Sequence, residues 1–412
     1  MITNIILFDL NNNPQSYKYH SYFDKFLNMK PWLHINETDW KWVLENIEEE
    51  IVKESLTVLL SKYPFPYKNI ELFDAKEEFL KLKDIDTTKL TTNEPWFSRS
   101  NINKELTNIV LSGSNIGNKA SDYFQQEWRM RTEFENSPSQ WRTWFTPKFM
   151  RTLVNGIYSL KKSDISETSI RSVLSMKKGV ASQFKPSVAK WFYDTYKSEN
   201  ILDFSAGWGD RLCGFYASKI GKNFLGIDPN TNVHTGYTKQ IEFYSQLCGD
   251  NRKAKTLIST AEDADLSNYK EKFDTVFTSP PYFNREKYTT EETQSWVRYK
   301  AIEDWLENFL FKTIRNIEPT IKSGGILAIN ISDVCSTSKG RKEKGWLKIC
   351  NPMIEYVESI GKFELESIIG YKMTKRPNSK SNGTGVVSNG VALEKFNSDI
   401  TFGEPFFIWR KK

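Results

Sequence analysis

Four short apolar runs, about 20 to 30 residues apart, each end in a loop that carries glycine, acidic or proline residues. The runs occupy residues 200–204, 223–228, 254–259 and 273–277. Their length and their β-branched and aromatic residues are typical of strands, and the intervals between them leave room for crossover helices. Successive units of this kind, joined by right-handed crossovers, build a parallel sheet with helices on both faces. The sequence therefore predicts a doubly wound α/β fold.

The loops after the first three runs carry the residues expected of a nucleoside-binding site. Gly207 and Gly209 permit a tight turn and close approach of the backbone to a ligand. Asp228 ends the second run about 20 residues later, where a carboxylate accepts hydrogen bonds from ribose hydroxyls. Glu262 or Asp263 could accept a hydrogen bond from an adenine amino group. A dinucleotide site is the competing interpretation, and it is disfavoured because the turn lacks the third glycine of that fingerprint.

The fourth run leads into a rigid loop with acceptors for an amino group. Pro280 and Pro281 fix φ and remove backbone donors, which leaves the carbonyl groups free. The Oγ of Ser279 and the carbonyl of Pro280 would bind the hydrogens of an aromatic amine, and Tyr282 offers a flat face for a flipped base. A simple Pro-Pro turn after a core strand is the alternative. The upstream glycine and acid motifs favour methyl transfer to an amine nitrogen.

With these motifs in this order, the chain resembles the S-adenosylmethionine-dependent amino-methyltransferases, in particular DNA cytosine-N4 and adenine-N6 methylases of the phage and mobile-element branch. The resemblance covers roughly residues 175–412 and rests on an AGWG-type turn and an SPPYF loop. It implies a Rossmann-like doubly wound methyltransferase sheet, S-adenosylmethionine as cofactor and no metal. It also implies cofactor-binding roles for Phe184, Pro186, Asp203, Phe204, Gly207, Gly209, Asp228, Glu262 and Asp263, catalytic roles for Ser279, Pro280, Pro281 and Tyr282, and a substrate contact for Phe283. In the family, a serine at the position of Ser279 favours cytosine N4 over adenine N6.

Length and composition predict two domains in an intracellular enzyme. The 412 residues are divided into a mostly helical N-terminal domain at 1–170 and a catalytic domain at 171–412. The four cysteines have no CxxC spacing, which favours free buried thiols over disulfides or zinc. No export signal or membrane span is expected, and the expected location is the cytoplasm, or that of the host cell for a phage protein.

Charge is distributed unevenly along the chain. Residues 1–95 contain 11 Lys and Arg against 16 Asp and Glu, so the remaining residues carry a net charge of +11 within the chain's total of +6. A basic excess near the catalytic motifs predicts a polyanion such as DNA as the partner. Basic loops at 284–300, 338–344 and 372–388, the last with Lys375 and Arg376, are candidate DNA contacts. The alternative for each loop is a solvated surface segment.

An aromatic and basic stretch covers residues 96–162. Arg129, Arg131 and Arg142 are suited to phosphate or guanine contacts, which makes this region the default candidate for target recognition. Core packing in a helical domain is the alternative explanation for its tryptophans.

The sequence thus predicts a site-specific DNA methyltransferase, with restriction-modification as a possible setting. Methylation of an RNA base or of a protein side-chain amine is the rival activity, and a catalytically inactive nucleic-acid-binding protein is the rival class. The recognition sequence and the oligomeric state stay open.

Overall fold

A computed structural model describes residues 1–134, 137–249, 251–336, 345–373 and 400–412. The predicted basic loop at 338–344, together with Lys375 and Arg376, lies outside the described residues. The chain forms two compact units. The helical unit comprises Met1–Asn69 and Glu127–Ala181, and the sheet unit comprises Ile70–Gln126 and Ser182–Lys412. The expected division between residues 170 and 171 therefore differs from the observed one, because 70–126 fold with the sheet.

The strands are β1 (Ile2–Phe8), β2 (Pro14–His20), β3 (His34–Ile35), β4 (Thr91–Asn93), β5 (Trp96–Phe97), β6 (Ile109–Leu111), β7 (Glu133–Phe134), β8 (Ile165–Ser166), β9 (Asn200–Asp203), β10 (Asn223–Asp228), β11 (Lys253–Ile258), β12 (Phe273–Thr278), β13 (Glu286–Lys287), β14 (Ile321–Asn330), β15 (Val334–Ser336), β16 (Gly345–Leu347), β17 (Phe363–Lys372) and β18 (Thr401–Lys411).

The α-helices are α1 (Glu37–Asn46), α2 (Glu49–Leu60), α3 (Leu72–Asp84), α4 (Asn118–Arg131), α5 (Gln140–Trp144), α6 (Pro147–Ser159), α7 (Glu167–Lys177), α8 (Pro186–Thr195), α9 (Asp210–Ala217), α10 (His234–Cys248), α11 (Ser295–Arg298), α12 (Ile302–Trp305), α13 (Lys312–Ile317) and α14 (Cys350–Ser359). A π-helical turn, Leu306–Phe311, joins α12 to α13. Short 3₁₀ helices occupy Ser21–Phe26, Thr87–Leu90, Thr231–Val233, Ser267–Tyr269 and Glu318–Thr320.

The sheet unit is built on a ten-stranded sheet in the order β11-β10-β9-β12-β14-β18-β17-β6-β4, with β5 paired to β18. The five strands from β11 to β14 are parallel, and β18 runs antiparallel between β14 and β17. This topology confirms the predicted α/β, Rossmann-like doubly wound fold. Strands β6 and β4, which precede the catalytic motifs in sequence, extend the sheet beyond β17.

Both faces of the sheet are covered, because adjacent residues along each strand enter opposite cores. On β9, Leu202 joins a core with α12, α13 and α14, whereas Ile201 joins a core with α8 and α9. The second core also contains Phe79 and Leu82 of α3. Burial of this α3 face explains why residues 70–126 belong to the sheet unit.

The helical unit has one apolar core, to which the β1–β2 hairpin and the helices α1, α2, α6 and α7 contribute. Of the four tryptophans in the aromatic and basic stretch, Trp144 lies in this core and Trp96 is buried in the sheet unit, so core packing explains these two. Cys213 and Cys350 are buried free thiols. Within the described parts of the chain, every helix is too short or too polar to cross a bilayer.

Candidate active site

Three neighbouring strands bring the predicted motifs to one edge of the sheet. Strand β9 lies between β10 and β12, and all three are parallel. Asp203, Asp228 and Thr278 end these strands. Because carboxyl ends of parallel strands meet at one edge, the glycine turn, the acid of β10 and the SPPY loop share the position where doubly wound sheets bind ligands.

The glycine turn has a conformation that only glycine adopts without strain. Gly207 and Gly209 have φ values of +60° and +73°, and Gly209 is the N-cap of α9. A Cβ on Gly209 would lie 2.2 Å from Oε1 of the buried Gln240. At Gly207 the nearest atom would be the Ser205 carbonyl oxygen at 3.8 Å, so the missing side chain leaves an open face for a ligand.

Asp228 is held beside this turn by backbone donors. Its carboxylate accepts hydrogen bonds from the N–H groups of Gly207 at 2.8 Å and Asn230 at 2.9 Å. Burial raises the pKa of Asp228 to about 6, although the two backbone donors oppose the shift. Each oxygen accepts one backbone hydrogen bond and so has a further lone pair for a hydroxyl donor. This geometry fits the predicted contact with a ribose.

Asp203 forms a buried network instead of an open ligand contact. Its Oδ2 accepts from Nε of Arg211 at 2.7 Å, and its Oδ1 accepts from Oγ1 of Thr278 at 2.9 Å. The side chain is 0% exposed. Arg211 also donates to the Ser205 carbonyl. Asp203 therefore ties β9 to β12 and supports the turn, and its predicted role as a cofactor ligand stays a prediction.

The three residues expected to contact the methionine end differ in exposure. Phe204 is 1% exposed and lies in an apolar core. Phe184 is partly exposed, meets Phe277 edge to face, and has the Arg211 guanidinium 5.0 Å from its ring centroid. Pro186 is buried at the first position of α8, where a proline ring favours the helix start. Their predicted contacts with the methionine end stay predictions.

The two candidate adenine acceptors after β11 differ in their surroundings. Oε1 of the buried Glu262 accepts from Arg298 at 2.7 Å and from Tyr299 at 2.9 Å, and its Oε2 has no hydrogen-bond partner among the described residues. Burial raises the pKa of Glu262. Asp263 is paired with Lys312 at 2.6 Å and with Arg298 at 2.8 Å, and the Lys312 hydrogen bond lowers its pKa to about 2. Glu262 is thus the acid with a free acceptor, and Asp263 is a surface ion-pair partner.

The SPPY loop follows β12 directly. Ser279, Pro281 and Tyr282 are partly exposed and Pro280 is buried. Phe283 has a φ of +53°, a strained conformation for an aromatic residue. Its side chain is 2% exposed and lies edge to face with Trp305. This contact anchors the loop, and the predicted substrate contact of Phe283 stays a prediction.

Sequence reasoning missed two acids beside this loop. Oε2 of Glu404, on β18, accepts from the Tyr282 hydroxyl at 3.3 Å. Glu286, on β13, accepts from the Tyr288 hydroxyl. Neither acid belongs to a recognisable motif. Glu404 comes close to the SPPY loop only because β18 pairs with strands that are remote from it in sequence.

The predicted DNA-contacting arginines all have partners within the helical unit. Arg129 is buried and reaches the carbonyl of Ala181 at 3.4 Å. Arg131 pairs with Glu127 at 2.6 Å, and Arg142 pairs with Glu133 at 3.0 Å. Arg131 also stacks 4.1 Å above the ring of Trp141. The Arg131 and Arg142 side chains are 34% and 46% exposed, whereas Arg129 is 6% exposed, so the two exposed arginines are the better candidates for a phosphate contact.

A family model described as DNA methylase matches residues 273–398, which include the SPPY loop. Among solved structures, the chain is similar to an S-adenosylmethionine-dependent methyltransferase from Listeria monocytogenes, with 11% identity, coverage of 55% of this chain and 97% of that chain, and a TM-score of 0.32. TrmN from Thermus thermophilus is 11% identical over 56% of this chain and 50% of its own, with a TM-score of 0.32. The tRNA m1G37 methyltransferase from M. jannaschii is 14% identical to this chain. The similarity covers 55% of this chain and 47% of that chain, with a TM-score of 0.31.

No curated protein matches the sequence. The matched DNA methylase family supports methyl transfer by an enzyme, with S-adenosylmethionine as the cofactor.

Proposed function

We propose that the protein methylates DNA on the exocyclic amino group of a flipped base, with cytosine N4 favoured over adenine N6. One observation carries this proposal. The glycine turn, the acceptors of Asp228 and Glu262, and the partly exposed SPPY loop all lie at or follow the carboxyl ends of neighbouring parallel strands. The DNA methylase match, which contains that loop, supports the same chemistry.

The residues at the sheet edge fit S-adenosylmethionine. Gly207 leaves an open backbone face, Asp228 has acceptor capacity for ribose hydroxyls, and Oε2 of Glu262 is a buried acceptor that an adenine amino group would satisfy. The bound cofactor would supply an electrophilic methyl group. Ionised Asp228 and Glu262 would orient it from its nucleoside end.

The SPPY loop provides the acceptors that an aromatic amine requires. The amine lone pair is delocalised into the base, so hydrogen bonds from its two N–H groups to Oγ of Ser279 and the Pro280 carbonyl would favour a more tetrahedral nitrogen. Tyr282 would stack on the flipped base. A neutral serine hydroxyl in place of a carboxylate agrees with the cytosine preference that the family resemblance implies.

DNA is the proposed substrate because basic charge accompanies the catalytic motifs. Residues 96–412 alone have a net charge of +11, a surplus suited to phosphate contacts and counterion release. Arg131 and Arg142 are the described candidates for such contacts, since both guanidinium groups are partly exposed.

The deciding experiment offers the purified protein radiolabelled S-adenosylmethionine with duplex DNA, RNA and protein in parallel. We expect label in DNA, and mass spectrometry of the released nucleosides should give N4-methylcytidine in its deoxy form. Label only in RNA or protein would reject DNA as the substrate, and N6-methyladenine would reject the base preference.

Two variants test the roles within the loop. Ser279→Ala should lower the turnover number with cofactor affinity retained, whereas Tyr282→Ala should weaken DNA binding by about 1–3 kcal/mol, the range for one stacked base. Wild-type methylation rates in both variants would contradict the assignment of the loop to the amine and the base.

A further inference from the structure

A glutamate from the last strand touches the SPPY loop. Glu404 lies on β18 opposite Tyr371 of β17, and its Oε2 is 3.3 Å from the hydroxyl oxygen of Tyr282. The Tyr282 hydroxyl donates this hydrogen bond, and the Ser279 side chain acts on the Tyr282 hydroxyl as a donor that lowers its pKa. The measured contact of this group is therefore the one between Tyr282 and Glu404, and Ser279 precedes Tyr282 in the same loop.

The surroundings of Glu404 hold its carboxyl near the point of ionisation. Burial raises the pKa of Glu404 to about 7, and the negative charge of Glu286 acts in the same direction. The hydrogen bond from Tyr282 and the positive charge of Arg99 oppose the rise. Tyr371, whose own pKa is raised by burial, faces Glu404 from β17. These groups leave a carboxylate that can gain and lose a proton near neutral pH.

Methylation of an amine requires a proton acceptor. The amine nitrogen uses its lone pair to bond the methyl carbon, and the electron pair of the broken C–S bond stays on sulfur. The nitrogen then carries a positive charge until it loses one of its protons. A weakly basic serine hydroxyl cannot keep that proton, so the proton must move on to a stronger base.

We propose that Glu404 is a positioning residue and the proton acceptor of the reaction. This inference rests on the proposed function of the SPPY loop. Its carboxylate fixes the orientation of the Tyr282 ring through the hydroxyl. As the amine proton moves to Oγ of Ser279, the serine proton moves to the Tyr282 oxygen and the tyrosine proton moves to Oε2 of Glu404. The products are a neutral methylated amine and a protonated Glu404, so charge and protons balance.

The first test needs no methyl transfer. Carbon-13 carboxyl NMR of glutamate-labelled protein, with the Glu404 signal assigned by its loss in Glu404→Gln, should show titration near pH 7. Tyr282→Phe removes a donor to the ionised form, so it should raise the pKa of Glu404, whereas Glu286→Gln removes a like charge and should lower it. Titration at the ordinary value of 4.5, or no response to Tyr282→Phe, would overturn the proposal.

The second test uses single-turnover methylation across the neutral pH range. In the wild type the rate should rise through the pKa of Glu404 and level off above it, because only the carboxylate accepts a proton. Glu404→Gln and Tyr282→Phe should each lower the plateau rate at least about tenfold and abolish that rise, with the KM for DNA retained. The methylation rate of the double variant should be no lower than that of either single variant, since both changes interrupt the same proton transfer.

Glu364→Gln, the same chemical change on the exposed side of β17, is the matched control and should keep the wild-type rate and pH profile. Additive losses of rate in the double variant, or an unchanged pH profile in Glu404→Gln, would refute proton transfer from Tyr282 to Glu404. Failure of the wild type to methylate any nucleic acid would refute the proposed function, whereas the NMR titration judges the pair of Glu404 and Tyr282 separately.

Discussion

Removal of the negative charge of Asp203 should destabilise the sheet unit strongly. Asp203→Asn keeps the side-chain shape and the acceptor for Thr278, but it leaves the Arg211 guanidinium buried without its anion. Breaking a buried pair in this way costs about 3–5 kcal/mol, because the remaining charge stays desolvated. With a urea m-value of about 3 kcal/mol/M, the unfolding midpoint should fall by about 1–2 M.

The pair of Arg410 and Glu366 provides a control with matched geometry. Its Nε–Oε2 distance is 2.7 Å, equal to the Nε–Oδ2 distance between Arg211 and Asp203. The Arg410 and Glu366 side chains are 48% and 34% exposed, so Glu366→Gln should cost at most about 1 kcal/mol. Hydrogen exchange of peptides from residues 200–217 would assign any loss to the sheet unit.

Equal losses in Asp203→Asn and Glu366→Gln would refute the argument from burial. A second check adds Arg211→Met to Asp203→Asn, which removes the unpaired charge. The double variant should be more stable than Asp203→Asn alone, because an apolar side chain replaces a buried cation.

Three further changes have defined outcomes. Gly209→Ala should lower the free energy of unfolding by at least about 1–2 kcal/mol in urea titrations, because it combines a left-handed φ with a contact against Gln240. Cofactor affinity measured by calorimetry should fall as pH drops through about 6, where Asp228 gains a proton, and Asp228→Asn should remove that dependence. Arg142→Glu should weaken DNA binding and make its salt dependence shallower, and an unchanged slope would exclude a phosphate contact.

Local patterns were sufficient to predict the centre of the sheet. The predicted runs at 223–228 and 273–277 correspond to β10 and β12 within one residue at each end. These strands are parallel and covered on both faces, so residues 224–227 and 275–278 are all buried and lack the strict polar–apolar alternation of a half-exposed strand. Their boundaries are sharp because the functional loops that follow are polar or rich in glycine and proline.

The outer part of the sheet was not predictable in this way. Strands β4 and β6 have three residues each, too few for a periodic pattern. Strand β6 enters the sheet through pairing with β17, more than 250 residues later in the chain, and β4 pairs with β6. The domain boundary was displaced for the same reason, since the burial of α3 depends on a partner remote in sequence.

The candidate site shows the same division between local and distant information. Gly207, Asp228 and Ser279 were identified because a turn, a strand end and a loop motif each carry their own signal. Glu404 carries none, since an acid within an apolar strand becomes meaningful only when β18 is placed beside the loop after β12. The buried ion pair of Asp203 was not predicted, because its partner Arg211 has the sequence context of an ordinary helical residue.

Two carboxyl groups near this site have pKa values close to neutrality, and their pH effects should separate. Asp228 has a pKa of about 6 and belongs to the cofactor end, whereas Glu404 has a pKa of about 7 and belongs to the amine end. Both act in the ionised form, so both contributions grow as pH rises. The KM for S-adenosylmethionine should therefore fall across about pH 6, and kcat should rise across about pH 7. A single transition shared by both constants would mean that one group controls both steps.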